Sequence, residues 1–272
     1  MINIDYLTRQ YFYFDKPVDY KLQCGKTIYI SPVCVEKSEI FNDSIDILMI
    51  DKNALPSVEI IQMSYLQFLV SVLFLQDSKQ PKKLGVLMSL CCGLDDTKVF
   101  FNDKGKAYLA DEESGITVSA TDFDDIKKII LYQNILHFDD SYINPELRQA
   151  MRELDEVRNK SKEMPTVERR IAIIMAHTGI SKTEQIQMSM RTHGLLFEEV
   201  AGEVKYNAVA PIAVYANKLS EIDDWIFRNK KNKFSDYITT VDDFNKSMGN
   251  SVIPTTQNIS SSEYEKYLPK QK

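Results

Sequence analysis

The sequence predicts an α+β fold that is mainly helical, with small antiparallel β elements at about residues 20–35 and 98–119. In the first region, two β-rich runs flank Gly25 and Lys26, which is typical of a hairpin. The second region alternates between short strand-like runs and polar turns. From about residue 145 to 230 the apolar residues recur at helical spacing, which predicts a helical C-terminal lobe.

Helices are expected to fill the rest of the N-terminal region. Residues 36–51 carry apolar side chains at helical spacing, namely Ile40, Phe41, Ile45, Leu48 and Met49. A second helix is predicted from about Val58 to Gln76, and a short apolar helix from Leu84 to Leu94. The most apolar stretch, Met63 to Leu75, is shorter than the roughly 20 residues that a bilayer span requires. It is therefore expected to be a buried helix, and no membrane partner is predicted.

Residues 98–119 predict three short strands joined by two tight turns, with Gly105 and Gly115 at the turns. Thr121 is the expected N-cap of the following helix, because acidic residues suited to the positive helix end come next. That helix is expected to bury four apolar side chains, Phe123, Ile126, Ile129 and Ile130.

Three domains are predicted: a mixed α+β domain at 1–143, a helical domain at 144–230, and a polar tail at 231–272. The helical domain begins with a strongly charged helix at Pro145, whose apolar residues fall on one side: Leu147, Met151, Leu154 and Val157. The tail is rich in Ser, Thr, Asn and Lys but retains scattered aromatic residues. This composition is typical of a mobile segment or of one that orders on a partner.

The stretch AHTGISKTEQ, residues 176–185, raises the question of an active site, because it contains one of only three histidines. His177 falls in the last turn of a predicted helix, where a histidine suits the negative end of the dipole. Gly179 can end that helix, and Ser181 with Glu184 fits the capping box of the next one. A further helix is predicted from Ser189 to Val200. The stretch is therefore interpreted as a corner between helices.

Neither catalysis nor cofactor binding is predicted. His177 and His193 are 16 residues apart, unlike a helical zinc pair. Adjacent acidic pairs such as Asp95-Asp96 point in different directions on a helix. The phosphate-loop, dinucleotide and hydrolase motifs do not occur in the sequence. The four cysteines lack C-x-x-C spacing and are expected to be buried free thiols, although Cys24 and Cys34 lie on neighbouring segments.

The charge of the chain argues against nucleic-acid binding. The formal net charge is −6, and there is no long run of lysine or arginine. Nucleic-acid-binding surfaces usually appear as a basic stripe. No nucleic-acid partner is therefore predicted.

Two blocks of the sequence resemble tail assembly proteins of tailed bacteriophages infecting Firmicutes-like hosts. The first is DKPVDYKLQCGKTIYISPVCVEKSEIFNDSIDIL followed by IIQMSYLQFL, in which a hairpin leads through an I-x-P-V-x-V step into a helix. The second is VERRIAIIMAHTGISKTEQIQMSMRTHGLLFEEV, which is similar to a helical block of tail assembly chaperones. Together the blocks cover about a third of the chain.

The resemblance implies a non-enzymatic protein that binds tape-measure or tail-tube subunits in the host cytoplasm while the virion is built. Because methionine repacks against varied partners, methionines and the aromatic residues of the tail are the candidate contacts. These are Met188, Met190, Phe197, Phe234, Tyr237, Phe244, Tyr264 and Tyr267. Two alternatives stay open, a permanent virion or baseplate component and an enzyme of another family, and so does homo-oligomerisation.

Overall fold

The computed structural model describes residues 2–55, 57–140, 145–159 and 165–217. The described chain is mainly helical with two small antiparallel sheets, as the sequence predicts. The helices are α1 (Ile4–Gln10), α2 (Ser38–Met49), α3 (Val58–Gln62), α4 (Tyr65–Phe68), α5 (Phe74–Gln76), α6 (Gln80–Cys92), α7 (Ala120–Asn134), α8 (Pro145–Asn159), α9 (Val167–Thr178), α10 (Lys182–Gln187) and α11 (Met190–Tyr215). The strands are β1 (Val18–Lys21), β2 (Thr27–Ile30), β3 (Thr97–Phe101), β4 (Ala107–Asp111) and β5 (Ile116–Val118).

The predicted hairpin consists of β1 and β2, which pair in antiparallel register with Val18 opposite Ile30. Gly25 adopts a φ of 87° in the turn, a conformation that L-residues with a Cβ rarely take. Strand β2 ends two residues before Pro32, which has no amide hydrogen to continue the ladder.

The second sheet has the order β3-β4-β5, and all its pairs are antiparallel. Gly105 and Gly115 occupy its two turns with positive φ, so this prediction is confirmed. The two sheets are connected by Lys26, whose Nζ donates to the carbonyl oxygens of Ser114 at 2.8 Å and Gly115 at 2.9 Å.

Helix α2 occupies the predicted region, and three of its five apolar residues at helical spacing are buried. Phe41, Ile45 and Leu48 are buried, as the periodicity indicated. Ile40 and Met49 are exposed.

The long helix predicted from Val58 to Gln76 is wrong, because the chain forms α3, α4, a π-helical turn at Leu69–Leu73, and α5. Ser64 is extended and caps α4 by accepting a hydrogen bond from the amide of Gln67. Lys52 Nζ donates to carbonyls at the end of α3, at 2.5 Å to Ile61 and 2.7 Å to Met63. These two contacts terminate one helix and begin another.

The expectation that Met63 to Leu75 is a buried helix is confirmed for most of the stretch, because residues 65–74 are helical and buried or half-buried. Four side chains of its first half are buried, Tyr65, Leu66, Phe68 and Leu69. Leu75 at the other end is 82% exposed. No helix within the described ranges is long and apolar enough to cross a membrane.

The short apolar helix predicted from Leu84 to Leu94 is α6, which begins four residues earlier, at Gln80. Pro81 lies in its first turn, where a missing amide hydrogen has no cost. Gly93, in the left-handed conformation, ends the helix.

Helix α7 begins at a different cap from the one predicted. Ser119, rather than Thr121, is the N-cap, and its hydroxyl accepts from the amide of Asp122 at 3.2 Å. The Asp122 carboxylate accepts in return from the Ser119 amide at 3.3 Å, which completes a capping box. The predicted buried side chains of this helix, Phe123, Ile126, Ile129 and Ile130, are confirmed.

The charged helix predicted at Pro145 is α8, and its apolar side is largely uncovered. Leu147 and Leu154 are exposed, and Val157 is 73% exposed. The proposed domain boundary at 143/144 falls at residues outside the described ranges, so the division into domains stays a prediction.

The corner interpretation of residues 176–185 is confirmed. Helix α9 ends at Gly179, whose φ is 74° and whose amide donates to the carbonyl of Met175 at 3.1 Å. Ser181 and Glu184 form the predicted capping box of α10. Helix α11 then starts after Ser189 and continues fifteen residues beyond the predicted end at Val200.

Candidate functional site

The helical segment after residue 165 is joined to the N-terminal body by a short stretch of β-type pairing. The amide of Val35 donates to the carbonyl of Met188 at 2.9 Å, and the amide of Met190 donates to the carbonyl of Val33 at 2.8 Å. These bonds fix α10 and the start of α11 against the segment that precedes α2.

Side chains reinforce this junction. The Asp15 carboxylate accepts from Ser189 Oγ at 2.6 Å and from Thr192 Oγ1 at 2.8 Å. Arg191 donates from Nη1 to the carbonyl of Tyr132 at 3.1 Å. Hydrogen bonds to a charged group are stronger than neutral ones, so these contacts hold the first turn of α11 in place.

Three of the predicted partner-binding residues lie at contacts within the chain. Met188 is half-buried and contributes its carbonyl to the junction, while half-buried Met190 packs against the main core. Phe197 is half-buried, with the Arg170 guanidinium 5.6 Å from its ring centroid. Each therefore has a structural role, and its part in partner binding stays a prediction.

The other predicted contacts belong to the tail. They are Phe234, Tyr237, Phe244, Tyr264 and Tyr267, which lie outside the described residues. Their role also stays a prediction.

An apolar groove runs between the N-terminal body and the helices α9 and α10. The turn Val35–Lys37 and the start of α2 form one wall, and the opposite wall is formed by α9 and α10. The groove has a volume of about 480 Å³. Its apolar lining residues are Val35, Val167, Ile171, Ala172, Met175 and Ile186.

The groove is bordered mainly by negative charge. Glu36 and Glu39 line it from one wall, and Glu168 lines it from the other; all three are exposed. Lys182 is the cation among the lining residues. An apolar floor with an acidic border favours a ligand that combines apolar side chains with positive charge.

A second apolar surface lies on the distal half of α11. Val204, Ala208, Ile212 and Tyr215 are exposed and share one face of the helix, whereas exposed Val209 and Val214 lie on other sides. Ile212 is 68% exposed and Tyr215 is 94% exposed. Between residues 201 and 215 the sequence has only two charges, at Glu203 and Lys205. A helix face with this composition is typical of a protein-binding surface.

The histidines do not form a common site. His177 is exposed at the end of α9, and exposed His137 contacts Glu198 at 3.0 Å. His193 is buried in α11, and burial, followed by the charge of Arg170, lowers its pKa. Within the described residues, no group of three or more His, Cys, Asp or Glu side chains could hold a metal ion.

The cysteines are only partly as predicted. All four are free, and Cys91 and Cys92 are buried as expected. Cys24 is exposed and Cys34 is half-buried, so the expectation of burial is wrong for these two.

A smaller cleft of about 220 Å³ lies beside Lys127. The Lys127 ammonium is 3.2 Å from the ring centroid of Tyr65, and burial lowers the lysine pKa to about 8. The Tyr65 hydroxyl donates to the carbonyl of Ile47 at 2.7 Å, while Lys128 and Asp140 form an ion pair at 2.7 Å. The polar groups of the cleft thus connect α7 to the end of α2 and to the start of α4.

Neither surface was identified from the sequence. The groove joins residues near 36 to residues near 170, and no local pattern links these segments. The distal face of α11 has a visible signal, since Val204, Ala208, Ile212 and Tyr215 recur at helical spacing. That spacing would have extended the predicted helix past Val200.

Comparisons of the chain with protein families, with curated proteins and with solved structures found no match.

Proposed function

We propose that this chain is a non-enzymatic assembly factor of a tailed bacteriophage, which binds tape-measure or tail-tube subunits during virion morphogenesis. The observation that carries the proposal is the uncovered apolar face on the distal half of α11, from Val204 to Tyr215. A soluble partner-binding protein needs such a face, whereas a helix that only stabilises its own fold would bury it.

The position of this face favours capture of a helical partner. The proximal half of α11 contacts α7 through Arg191 and α9 through Phe197, so the distal half continues from a segment that is fixed in place. An exposed apolar stripe on a helix suits the apolar stripe of another helix, and a tape-measure protein is expected to be long and helical. The resemblance of the two sequence blocks to tail assembly chaperones points to the same class of partner.

Co-expression tests this proposal directly. The full chain is produced together with the tape-measure protein of the same phage, and in a parallel culture with its tail-tube protein. We expect one of these partners to become soluble and to co-purify with the chain. If both stay unbound and equally soluble with and without the chain, the proposal is wrong.

A matched pair of variants locates the contact. Ile212→Asp places a charge within the apolar face and should abolish co-purification, because a carboxylate is costly to bury without a partner. Asn207→Asp introduces the same charge at an exposed polar position of α11 and should leave binding intact. Equal binding by both variants would show that α11 is not the contact surface.

A further inference from the structure

The acidic groove between α2 and α9 has a chemical counterpart in the sequence of this chain. Residues 228–233 contain four basic side chains and no acidic one: Arg228, Lys230, Lys231 and Lys233. Large apolar residues flank this cluster, namely Trp225, Ile226, Phe227 and Phe234. The segment therefore combines positive charge with apolar anchors, which is the chemistry that the groove favours.

We propose that residues 225–234 of one copy dock into the groove of a second copy, so that the chain self-associates head to tail. The apolar side chains of the segment contact the floor around Ile171 and Met175. Its lysines and arginine lie near Glu39 and Glu168 on the border. This homotypic contact goes beyond the proposed function and requires no phage partner.

The length of α11 favours docking between two copies over docking within one. Phe197 lies level with the first turn of α9, because its ring is 5.6 Å from the Arg170 guanidinium. Helix α11 continues for 18 residues from Phe197 to Tyr215, which is about 27 Å. From Asn217 to Trp225 there are only eight residues, which span at most about 28 Å when fully extended.

For docking within one chain, the residues between Asn217 and Trp225 would have to run back along α11 in a fully extended conformation. A second copy meets no such restriction. A head-to-tail contact of this kind can close into a ring or continue as a filament.

The test is sedimentation of the purified full chain at concentrations from about 1 to about 200 µM, which covers the range of weak specific contacts. We expect concentration-dependent self-association that weakens at high salt, because the charged groups are exposed. A chain that is monomeric throughout this range would overturn the proposal.

Charge reversal identifies the two contact surfaces. The groove variant carries Glu39→Lys with Glu168→Lys, and the segment variant carries Lys230→Glu with Lys231→Glu. Each is expected to weaken self-association at least about tenfold, since like charges then face each other. Joining all four substitutions in one chain should restore association.

A control with the same change in net charge as the groove variant is Asp103→Lys with Glu113→Lys, at exposed positions in the turns of the three-stranded sheet. It should associate like the unmodified chain. Circular dichroism melting verifies that every variant is folded. If the groove variant does not fold, the segment variant still tests the proposal, because it alters no residue of the groove walls.

Three further outcomes would overturn the proposal. Either reversal variant could be folded yet associate normally, or the fourfold variant could be folded and stay dissociated. Chemical cross-links between Lys231 and Glu168 could also form within single chains, which would place the segment in its own groove. Loss of tape-measure binding alone would count only against the proposed function.

Discussion

The Asp15 carboxylate accepts a hydrogen bond from Ser189 Oγ at 2.6 Å, although 174 residues separate them in sequence. The same carboxylate accepts from Thr192 Oγ1 at 2.8 Å. Asp15 also adopts a left-handed backbone with φ of 52°, which few residues other than glycine, asparagine and aspartate tolerate. One residue thus ends the first helical stretch of the body and anchors the first turn of α11.

Replacing this residue should destabilise the junction. Asp15→Ala removes two charge-assisted hydrogen bonds and places alanine in a left-handed conformation, so we expect the free energy of unfolding to fall by about 2 kcal/mol. Asp15→Asn is the control, because it keeps one acceptor oxygen and tolerates the backbone. Urea unfolding of both variants measures the free energy of unfolding. Equal losses in Asp15→Ala and Asp15→Asn would contradict the role of the Asp15 carboxylate in anchoring α11.

Gly179 provides a test of the helical corner. Its φ is 74°, and a Cβ added there would meet no atom within 4 Å, so any cost arises from the backbone conformation alone. Gly179→Val should lower the free energy of unfolding by about 1 to 2 kcal/mol, whereas Gly179→Asn should cost less. Thermal melts of the two variants compare these losses of stability. Identical melting temperatures would mean that the residue does not adopt a left-handed conformation in solution.

Lys127 should make stability depend on pH in the alkaline range. Burial lowers its pKa in the folded chain to about 8, against about 10.4 for an exposed lysine. Between these values Lys127 binds more protons in the unfolded chain than in the folded chain, so its contribution to the free energy of unfolding rises with pH. The gain should be on the order of 2 kcal/mol between about pH 7.5 and about pH 10.

The comparison with Lys127→Met isolates this effect, because the other titrating groups are shared. Cys91 and Cys92, like Tyr20, Tyr65 and Tyr132, have raised pKa values in the folded chain, so they lower the stability of both proteins alike as the pH rises. Urea unfolding of both proteins across the range is the measurement. A difference in unfolding free energy that stays constant with pH would show that Lys127 has an ordinary pKa.

The thiols should divide into two classes of reactivity. Burial raises the pKa of Cys91 to about 12 and that of Cys92 well above its usual value, so neither forms a thiolate near pH 8. Exposed Cys24 should react fastest with a thiol reagent such as dithiobisnitrobenzoate, and half-buried Cys34 more slowly. Cys91 and Cys92 should react only after denaturation. Rapid reaction of all four in the native chain would contradict the described core.

Local signals account for the parts of the fold that the sequence predicted. The corner at Gly179 and the capping box at Ser181 depend on residues within four positions of each other, so both are visible without a structure. The same holds for the two glycine turns of the second sheet. The buried face of α7 was also visible, because its apolar residues recur at regular helical spacing.

Contacts between distant segments explain what was missed. The break at Ser64 depends partly on Lys52, which reaches the carbonyls of Ile61 and Met63 from an upstream turn. Ile40 is exposed although it follows the helical spacing of α2, so periodicity alone does not predict its burial. The groove forms only when α9 and α10 pack beside α2, so no local sequence pattern predicts it.

Mass spectrometry of phage particles tests the central claim most directly. Tail intermediates from infected cells and purified mature virions are compared for their content of this chain. An assembly factor should be present in intermediates that contain the tape-measure or tail-tube protein and absent from mature particles. A fixed copy number in mature virions would instead identify a permanent structural component, and absence from both fractions would contradict a role in tail assembly.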